Sequence, residues 1–402
     1  MDLDEGVITP GGIGYDINCG VRLIRTNLTL EEVTPRLKDL VDALFYKIPV
    51  GAGRSSLRLS KSDFLDLTEQ GSKWCLKNGF ASVEDLTLTE EGGCFDGADA
   101  SKVSDRAIER GHTQTGTAGS GNHYCEIVVS QPEDIYDADT AKAYGFGIPN
   151  QIGVLFHCGS RGFGHQICDD YIRVMLKAAK KYGFELPDKQ LCCAPFKSPE
   201  GQDYFAAMKC AVNMAFANRQ VIYHYIKEVF SDFFGQSPDD LGMRMIYDVS
   251  HNNAKIESHL VDGKSKKLLV HRKGATRAFG PGMEGVPEVY KNVGQPVFIG
   301  GSMQTGSYIL AGERTADISF YSTAHGSGRT MSRHKAQKMV KGAKLQKEME
   351  HQGIYVRTTS MKGLAEEAGL AYKDIDEVAK SAEIAGLSRR VLKLRPIGNI
   401  KG

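Results

Sequence analysis

An α+β fold, one large mixed domain with a β-sheet core and surrounding helices, is what this sequence predicts, on three observations. Strand-like and helix-like segments alternate along the chain. Their spacing lacks the regular ~30-residue cadence of doubly wound or barrel folds. No linker, low-complexity stretch or repeat of ~20–50 residues interrupts the 402 residues, so residues 1–402 are expected to form a single domain.

The elements follow from periodicity and turn chemistry. Val21–Ile24 reads as a strand, and Leu30–Phe45 as a helix entered through a capping box, Thr29-x-x-Glu32. Tyr124–Val129 and Ile152–Phe156 are short β-rich apolar runs. Gln166–Tyr182 and Tyr204–Phe234 carry helical periodicity. Met243–Val249, Leu268–Val270, Pro296–Ile299 and Ile318–Ser322 are further strands, Met331–Glu350 a helix, and Arg389–Ile400 extended.

Composition narrows the class. A sum of 50 Lys and Arg against 49 Asp and Glu excludes a polybasic or an acidic solvating protein. With 41% hydrophobic and 25% charged residues, wholesale disorder is excluded. No apolar run approaches the ~18 residues of a membrane span, and the acidic start Met1-Asp2-Leu3-Asp4-Glu5 has no signal-peptide character. An odd count of 9 cysteines without regular spacing predicts reduced thiols in a cytoplasmic protein, with Cys192, Cys193 and Cys210 read as packing residues.

Common nucleotide chemistries are missing. There is no phosphate-loop G-x-x-x-x-G-K-[ST], no H-E-x-x-H helix, no G-x-S-x-G elbow and no Lys-x-Asp-Gly. Glycine, by contrast, is in excess: 45 residues, about 11% against roughly 7%.

That excess has addresses. Gly11-Gly12-Ile13-Gly14-Tyr15-Asp16-Ile17-Asn18-Cys19-Gly20 frames a carboxylate and a thiol. Gly119-Ser120-Gly121-Asn122-His123 leads into a strand; His157-Cys158-Gly159-Ser160-Arg161-Gly162 and His251-Asn252-Asn253 follow strands; His325-Gly326-Ser327-Gly328-Arg329 follows another. Loops at strand ends are where a rigid scaffold gathers functional side chains. Around His157 and His325, glycine-rich backbone beside an arginine suits phosphate, which makes each histidine a metal ligand or a nucleophile toward phosphorus. Asp16, Cys19, His123, His157 and His251 exceed one tetrahedral site and suit two adjacent metals. Thiolate and imidazole favour zinc, whereas carboxylate, phosphate and water favour manganese. His112, His224, His334 and His351 read as surface or packing residues, while His165, His259 and His271 stay open.

Charge is locally lopsided. Arg333, Lys335, Lys338, Lys341, Lys344 and Lys347 form an acid-free stretch that begins just after the His325 loop. Lys264, Lys266, Lys267, Arg272, Lys273 and Arg277 form a second. Such stripes serve nucleic-acid binding even on a neutral chain.

At these residues the sequence resembles the RtcB family of GTP-dependent tRNA-splicing RNA ligases. The matching blocks are Gly11–Arg22, Gly116–Glu126, His157–Gln166, Asp248–Glu257, His271–Pro281, Gly301–Tyr308, His325–Arg333 and Leu394–Gly402. The resemblance implies an RtcB-like α+β domain that joins RNA 3′-phosphate or 2′,3′-cyclic phosphate ends to 5′-hydroxyl ends, using GTP and two Mn2+ ions. It implies Cys19 as the thiolate shared by two metals, His157 and His251 completing one site, and Asp16 and His123 the other. His325 would take GMP as a phosphoramidate. Asn122, Glu126, Ser302, Ser307, Tyr372 and Lys401 would hold the nucleotide, and Arg110, Arg161, Arg329 and Arg333 the RNA phosphates. RNA and, as activator, the archease protein are the implied partners. Family members carry a segment with a Pro-Asp-x-His-x-Gly motif ahead of the first glycine block, and the sequence here begins at Met1 just before that block. Two other readings stand beside ligation: a two-metal phosphoesterase acting on cyclic phosphates, and a truncated GTP- or RNA-binding relative without ligation.

Overall fold

Fourteen strands occur in chain order: β1 (Val7–Ile8), β2 (Gly20–Thr29), β3 (Tyr124–Ser130), β4 (Gln151–Cys158), β5 (Ala194–Pro195), β6 (Arg244–Ser250), β7 (Asn252–Val261), β8 (Lys264–Lys273), β9 (Ala275–Arg277), β10 (Pro296–Gly300), β11 (Ser307–Gly312), β12 (Ser322–Ala324), β13 (Tyr355–Thr358) and β14 (Ser388–Lys401). The computed structural model describes all residues, Met1–Gly402. Eight strands make one sheet in the order β10-β11-β14-β3-β4-β2-β6, with β13 added beside β14. Only β13 pairs in parallel; the other neighbours in that sheet run antiparallel. The α+β expectation holds, and antiparallel pairing explains why no βαβ cadence was legible.

The long helix Pro199–Phe234 divides the interior. Ser198 caps its first turn by accepting from Gly201 N–H, Pro199 fixes the entry, and Gly235 ends it in the left-handed region at φ 66°. Its residues Ile222, Ile226 and Phe230 pack on the sheet. Tyr204, Met208, Ala211 and Phe216 enter a second core with helices Lys61–Gln70, Asp105–Gly111 and Arg161–Lys181. Apolar residues on every side are what a helix between two cores requires.

Three expected elements differ. Leu30–Phe45 keeps its capping box but breaks into Leu30–Val33 and Leu37–Lys47 around a 3-10 turn containing Pro35, which lacks an N–H and crowds the preceding turn. Met331–Glu350 is two helices, Arg333–Met339 and Gly342–His351. At Gly342 the chain passes so close to Met361 that a Cβ would lie 2.0 Å from its carbonyl oxygen. Ile318–Ser322 is not a strand. Arg314–Ser319 is a 3-10 helix, Phe320 and Tyr321 are left-handed, and only Ser322–Ala324 pairs, with β9. Buried Arg272 imposes this by donating to Phe320 O and Ser322 Oγ, each at 3.0 Å.

Candidate metal and nucleotide site

Strand register gathers the polar residues at one end of the sheet. Lys401 pairs with Tyr124, Tyr124 with His157, and His157 with Val21. Side chains directly opposite one another share a face. Cys19 immediately precedes β2, His123 precedes β3, His157 is the penultimate residue of β4, and His251 follows β6. Four neighbouring strands therefore deliver one donor each to a common point.

The donors are in mutual contact. Cys19 Sγ lies 3.0 Å from His157 Nε2 and 3.3 Å from His123 Nε2. His157 Nε2 lies 3.1 Å from His251 Nε2, and His123 Nε2 lies 2.8 Å from Asp16 Oδ2. The set thus divides around Cys19 into a His157–His251 side and a His123–Asp16 side. The outer nitrogens are engaged: His123 Nδ1 lies 3.0 Å from Ala118 O, and His157 Nδ1 3.2 Å from Asn122 O. With Nδ1–H donated to a carbonyl, each Nε2 turns a lone pair inward, the orientation a metal-binding imidazole needs. Lone pairs converging on a buried sulfur, with one thiol proton to share, fit a divalent cation.

The electrostatics agree. Burial, reinforced by neighbouring imidazoles, pushes His157 and His251 well below the ordinary histidine range, so both rest neutral. Burial raises Asp16, but its coupling to His123 outweighs this and lowers the carboxyl, and a cation at Nε2 would take the place of the shared proton in that contact. Burial and the Asp16 charge push Cys19 well up, so a nearby dication is what would ionise it.

His325 flanks the cluster. Its ring centroid is 4.6 Å from that of His251. Strand β12 brings it there, Gly300 N–H donates to its carbonyl at 3.1 Å, and Ser327 N–H returns to Gly300 O at 2.8 Å. Gly274, at φ +64°, leaves room for the ring: a Cβ there would lie 3.0 Å from His325 Cε1. Burial lowers the His325 pKa, while a hydrogen bond to Gly274 backbone partly offsets this, so the ring is neutral near pH 7.

Beyond His325 opens a cavity of about 290 Å3. Asn122, Glu126, Ser302, Ser307, Tyr372 and Lys401 all line it, together with Arg329 and Arg333. Glu126 is buried and its carboxyl is pushed up to about 8, with Lys401 opposing the shift and Asn399 Nδ2 donating at 2.6 Å. Burial lowers the Lys401 amine. Ser327 Oγ, in the glycine loop after His325, is buried without a partner.

Two expected arginines lie elsewhere. Arg161 is 9% exposed and turned inward; Nε donates to Thr117 Oγ1 at 3.1 Å and Nη1 lies 3.4 Å from His123 Nδ1. Exposed Arg110 donates to Gln166 Oε1 at 2.8 Å. Of the open histidines, His259 joins a buried ion cluster with Glu257 and Arg272, and His271 accepts from Thr9 N–H. His165 is exposed beside Tyr15. All 9 cysteines are buried and unpaired.

The basic stretches behave differently. Arg333, Lys335, Lys338, Lys341, Lys344 and Lys347 are exposed. In the second stretch Lys264, Lys266, Lys267 and Lys273 are exposed, whereas Arg272 and Arg277 turn inward to Glu257 and Glu91.

Sequence reading missed Glu367. It is 3% exposed in the cavity wall, accepts from the Tyr372 hydroxyl, and lies 3.4 Å from Arg329 and 3.3 Å from Arg333. Its only signal was a carboxylate five residues before Tyr372.

A mainly antiparallel sheet thus carries at one end a thiol–imidazole–carboxylate cluster that could hold a metal ion, beside a cavity lined by paired cations and carboxylates. The sequence matches the family described as tRNA-splicing ligase RtcB over residues 1–402, and the chain belongs to that family. It is 50% identical to tRNA-splicing ligase RtcB of Archaeoglobus fulgidus, covering 100% of this chain and 83% of that protein. The protein of the same name from Thermococcus kodakarensis is 49% identical, with 100% and 83% covered. That of Aeropyrum pernix is 49% identical, with 100% and 84% covered.

Proposed function

We propose that this protein is an RNA ligase of tRNA splicing or RNA repair that uses GTP and two manganese ions. It would join 3′-phosphate or 2′,3′-cyclic phosphate ends to 5′-hydroxyl ends through a His325–GMP intermediate. One observation carries the reading: His325 stands between the Cys19 cluster and the cavity, 4.6 Å from His251 by ring centroids.

Cys19, His157 and His251 would hold one ion, and Cys19, His123 and Asp16 the other; bound there, the ions would supply charge neutralisation for phosphate oxygens. The Gly274 backbone packs against the neutral His325 ring, one nitrogen of which would attack the α-phosphorus of GTP. An N–P bond forms, the bond to the bridging oxygen breaks, and pyrophosphate departs. A 3′-phosphate oxygen of RNA then displaces His325, carrying GMP onto the RNA end. Attack by the 5′-hydroxyl, which gives up its proton, closes the phosphodiester and releases GMP. A cyclic end must first be opened by water.

Asn122 would meet nucleotide phosphate, and Tyr372 would stack on guanine. Glu126 and Lys401 would read the base edge, with Ser302 and Ser307 beside them. Arg329 and Arg333, which line the cavity, would meet RNA phosphate, with Arg110 further along. Sulfur and three imidazoles also suit zinc, so metal content belongs in the test. No helix is long and apolar enough to cross a membrane. The unpaired thiols support a cytoplasmic setting, and archease is the protein partner the resemblance implies.

The test is incubation with α-labelled GTP and manganese. Acid-labile covalent label is expected in the protein and none in His325→Ala. Undiminished label in that variant would remove the nucleophile. Opening of cyclic ends without label would favour a phosphoesterase, and label without joining a non-ligating relative.

A further inference from the structure

Beneath the ligand cluster, on the opposite face of the sheet, lies a buried ionic group that takes no part in the reaction. Arg22 and Asp248 are register partners on β2 and β6, three residues beyond Cys19 and three before His251. Arg22 Nε donates to Asp248 Oδ2 at 2.7 Å. Arg219, from the middle of the long helix, donates to Asp248 Oδ1 through Nε at 3.0 Å and Nη2 at 2.8 Å. All three side chains are 0% exposed. Such groups are poor stabilisers, since well-packed apolar residues of similar volume often do as well or better. Their presence calls for another role.

The remaining guanidinium nitrogen indicates it. Arg219 Nη1 donates to Asn18 O at 2.7 Å and to Cys158 O at 3.1 Å. Asn18 directly precedes Cys19, and Cys158 directly follows His157. Gly20 lets the guanidinium approach: a Cβ there would lie 2.9 Å from Arg219 Cζ. The adjacent Asn218 extends the bond set, accepting from Gly116 N–H at 2.7 Å and donating to Gly159 O at 3.1 Å. Two consecutive helix residues thus tie down the backbone leading to or from Cys19, His123 and His157.

We propose that Arg219, seated by Asp248 and assisted by Asn218, is a positioning residue that preorganises the metal ligands from behind the sheet. The proposal rests on the metal-site reading above. One thiol proton cannot satisfy both imidazoles, 3.0 and 3.3 Å from Cys19 Sγ, so without a cation the set is partly repulsive. Hydrogen bonds to the flanking carbonyls keep the strands from relaxing apart. Groups that orient ligands in this way commonly govern metal affinity by ~10–100-fold.

The test uses Co2+ as the probe with full-length protein. Wild type should bind it with a thiolate charge-transfer band, and Cys19→Ser should lack that band. Arg219→Lys keeps a charge against Asp248 but loses the fork. Arg219→Met removes the fork altogether and leaves Asp248 paired one-to-one with Arg22. Cooperative unfolding with Co2+ affinity weakened ~10–100-fold and an altered band is expected in at least one of them. Wild-type affinity and spectrum in a folded variant would overturn the proposal. So would failure of both variants to fold cooperatively, since the group would then be a folding element. A wild type that binds no Co2+ at Cys19 would sink the metal-site reading instead, and the proposal with it.

Discussion

The rings of His251 and His325 lie 4.6 Å apart and tilted by 49°. One belongs to the donor cluster and the other faces the cavity, which makes their roles separable. His325→Ala should abolish covalent GMP labelling while leaving divalent-metal affinity within about twofold of wild type. His251→Ala should weaken both by at least ~10-fold. Metal titration beside radiolabelling reads the difference, and equal loss of metal in the two variants would refute the division.

Cys19 touches both His123 and His157. Cys19→Ser should therefore reduce the metal stoichiometry of the purified protein, not only its affinity. Elemental analysis after dialysis checks this, and full occupancy would count against a shared sulfur.

Gly274 is left-handed, and a Cβ would press on His325. Gly274→Ala should cost about 1 kcal/mol of stability from the positive φ. By displacing the ring it should slow guanylylation up to ~100-fold, with metal binding retained. Unchanged single-turnover labelling would show that the ring does not depend on this contact.

Glu126 has a pH signature. Its carboxyl is raised from 4.5 to about 8 by burial, so the folded, nucleotide-free protein binds a proton there that the unfolded chain releases. Its contribution to stability is full below about 4.5 and falls as pH rises toward 8, by at most ~1.4 kcal/mol per unit. Glu126→Gln should flatten that part of the Tm–pH curve, and should also weaken GTP relative to ATP by ~10-fold or more through loss of a charged acceptor. An unaltered GTP preference would rule Glu126 out as the base-reading group.

Lys335, Lys338 and Lys344 are exposed on the helices that follow the His325 loop. Replacing all three with Gln should reduce the slope of log K against log salt for single-stranded RNA by about 2. Covalent labelling by GTP should persist. An unchanged slope would locate the RNA path elsewhere.

What could be read without the fold was the local chemistry. Tyr204–Phe234 was legible as helix from its periodicity and Thr29-x-x-Glu32 as a cap, because those signals involve neighbours along the chain, although the true start at Ser198-Pro199 was not read. His123, His157 and His251 were legible as candidates because glycine-rich loops met apolar strands. Glu367 was not: an isolated carboxylate carries no local signal, and its meaning comes from Tyr372, Arg329 and Arg333 converging on it. Arg272 and Arg277 looked like surface charge for the same reason, since their partners Glu257 and Glu91 lie on other strands or loops. Ile318–Ser322 had the composition of a strand, but the Arg272 guanidinium claimed its backbone.

The sequence by itself marked Asp16, Cys19, His123, His157, His251 and His325 as candidates for metal or phosphorus chemistry, because side-chain chemistry and glycine placement are properties of short segments, while the nucleotide residues came from the family resemblance. Tertiary structure decided which of them meet. Antiparallel register set Lys401 opposite Tyr124 and Tyr124 opposite His157. It also turned Arg161 inward and put Arg219 beneath Cys19. Register and facing depend on long-range packing, where a shift of one residue sends every side chain to the other face of the sheet.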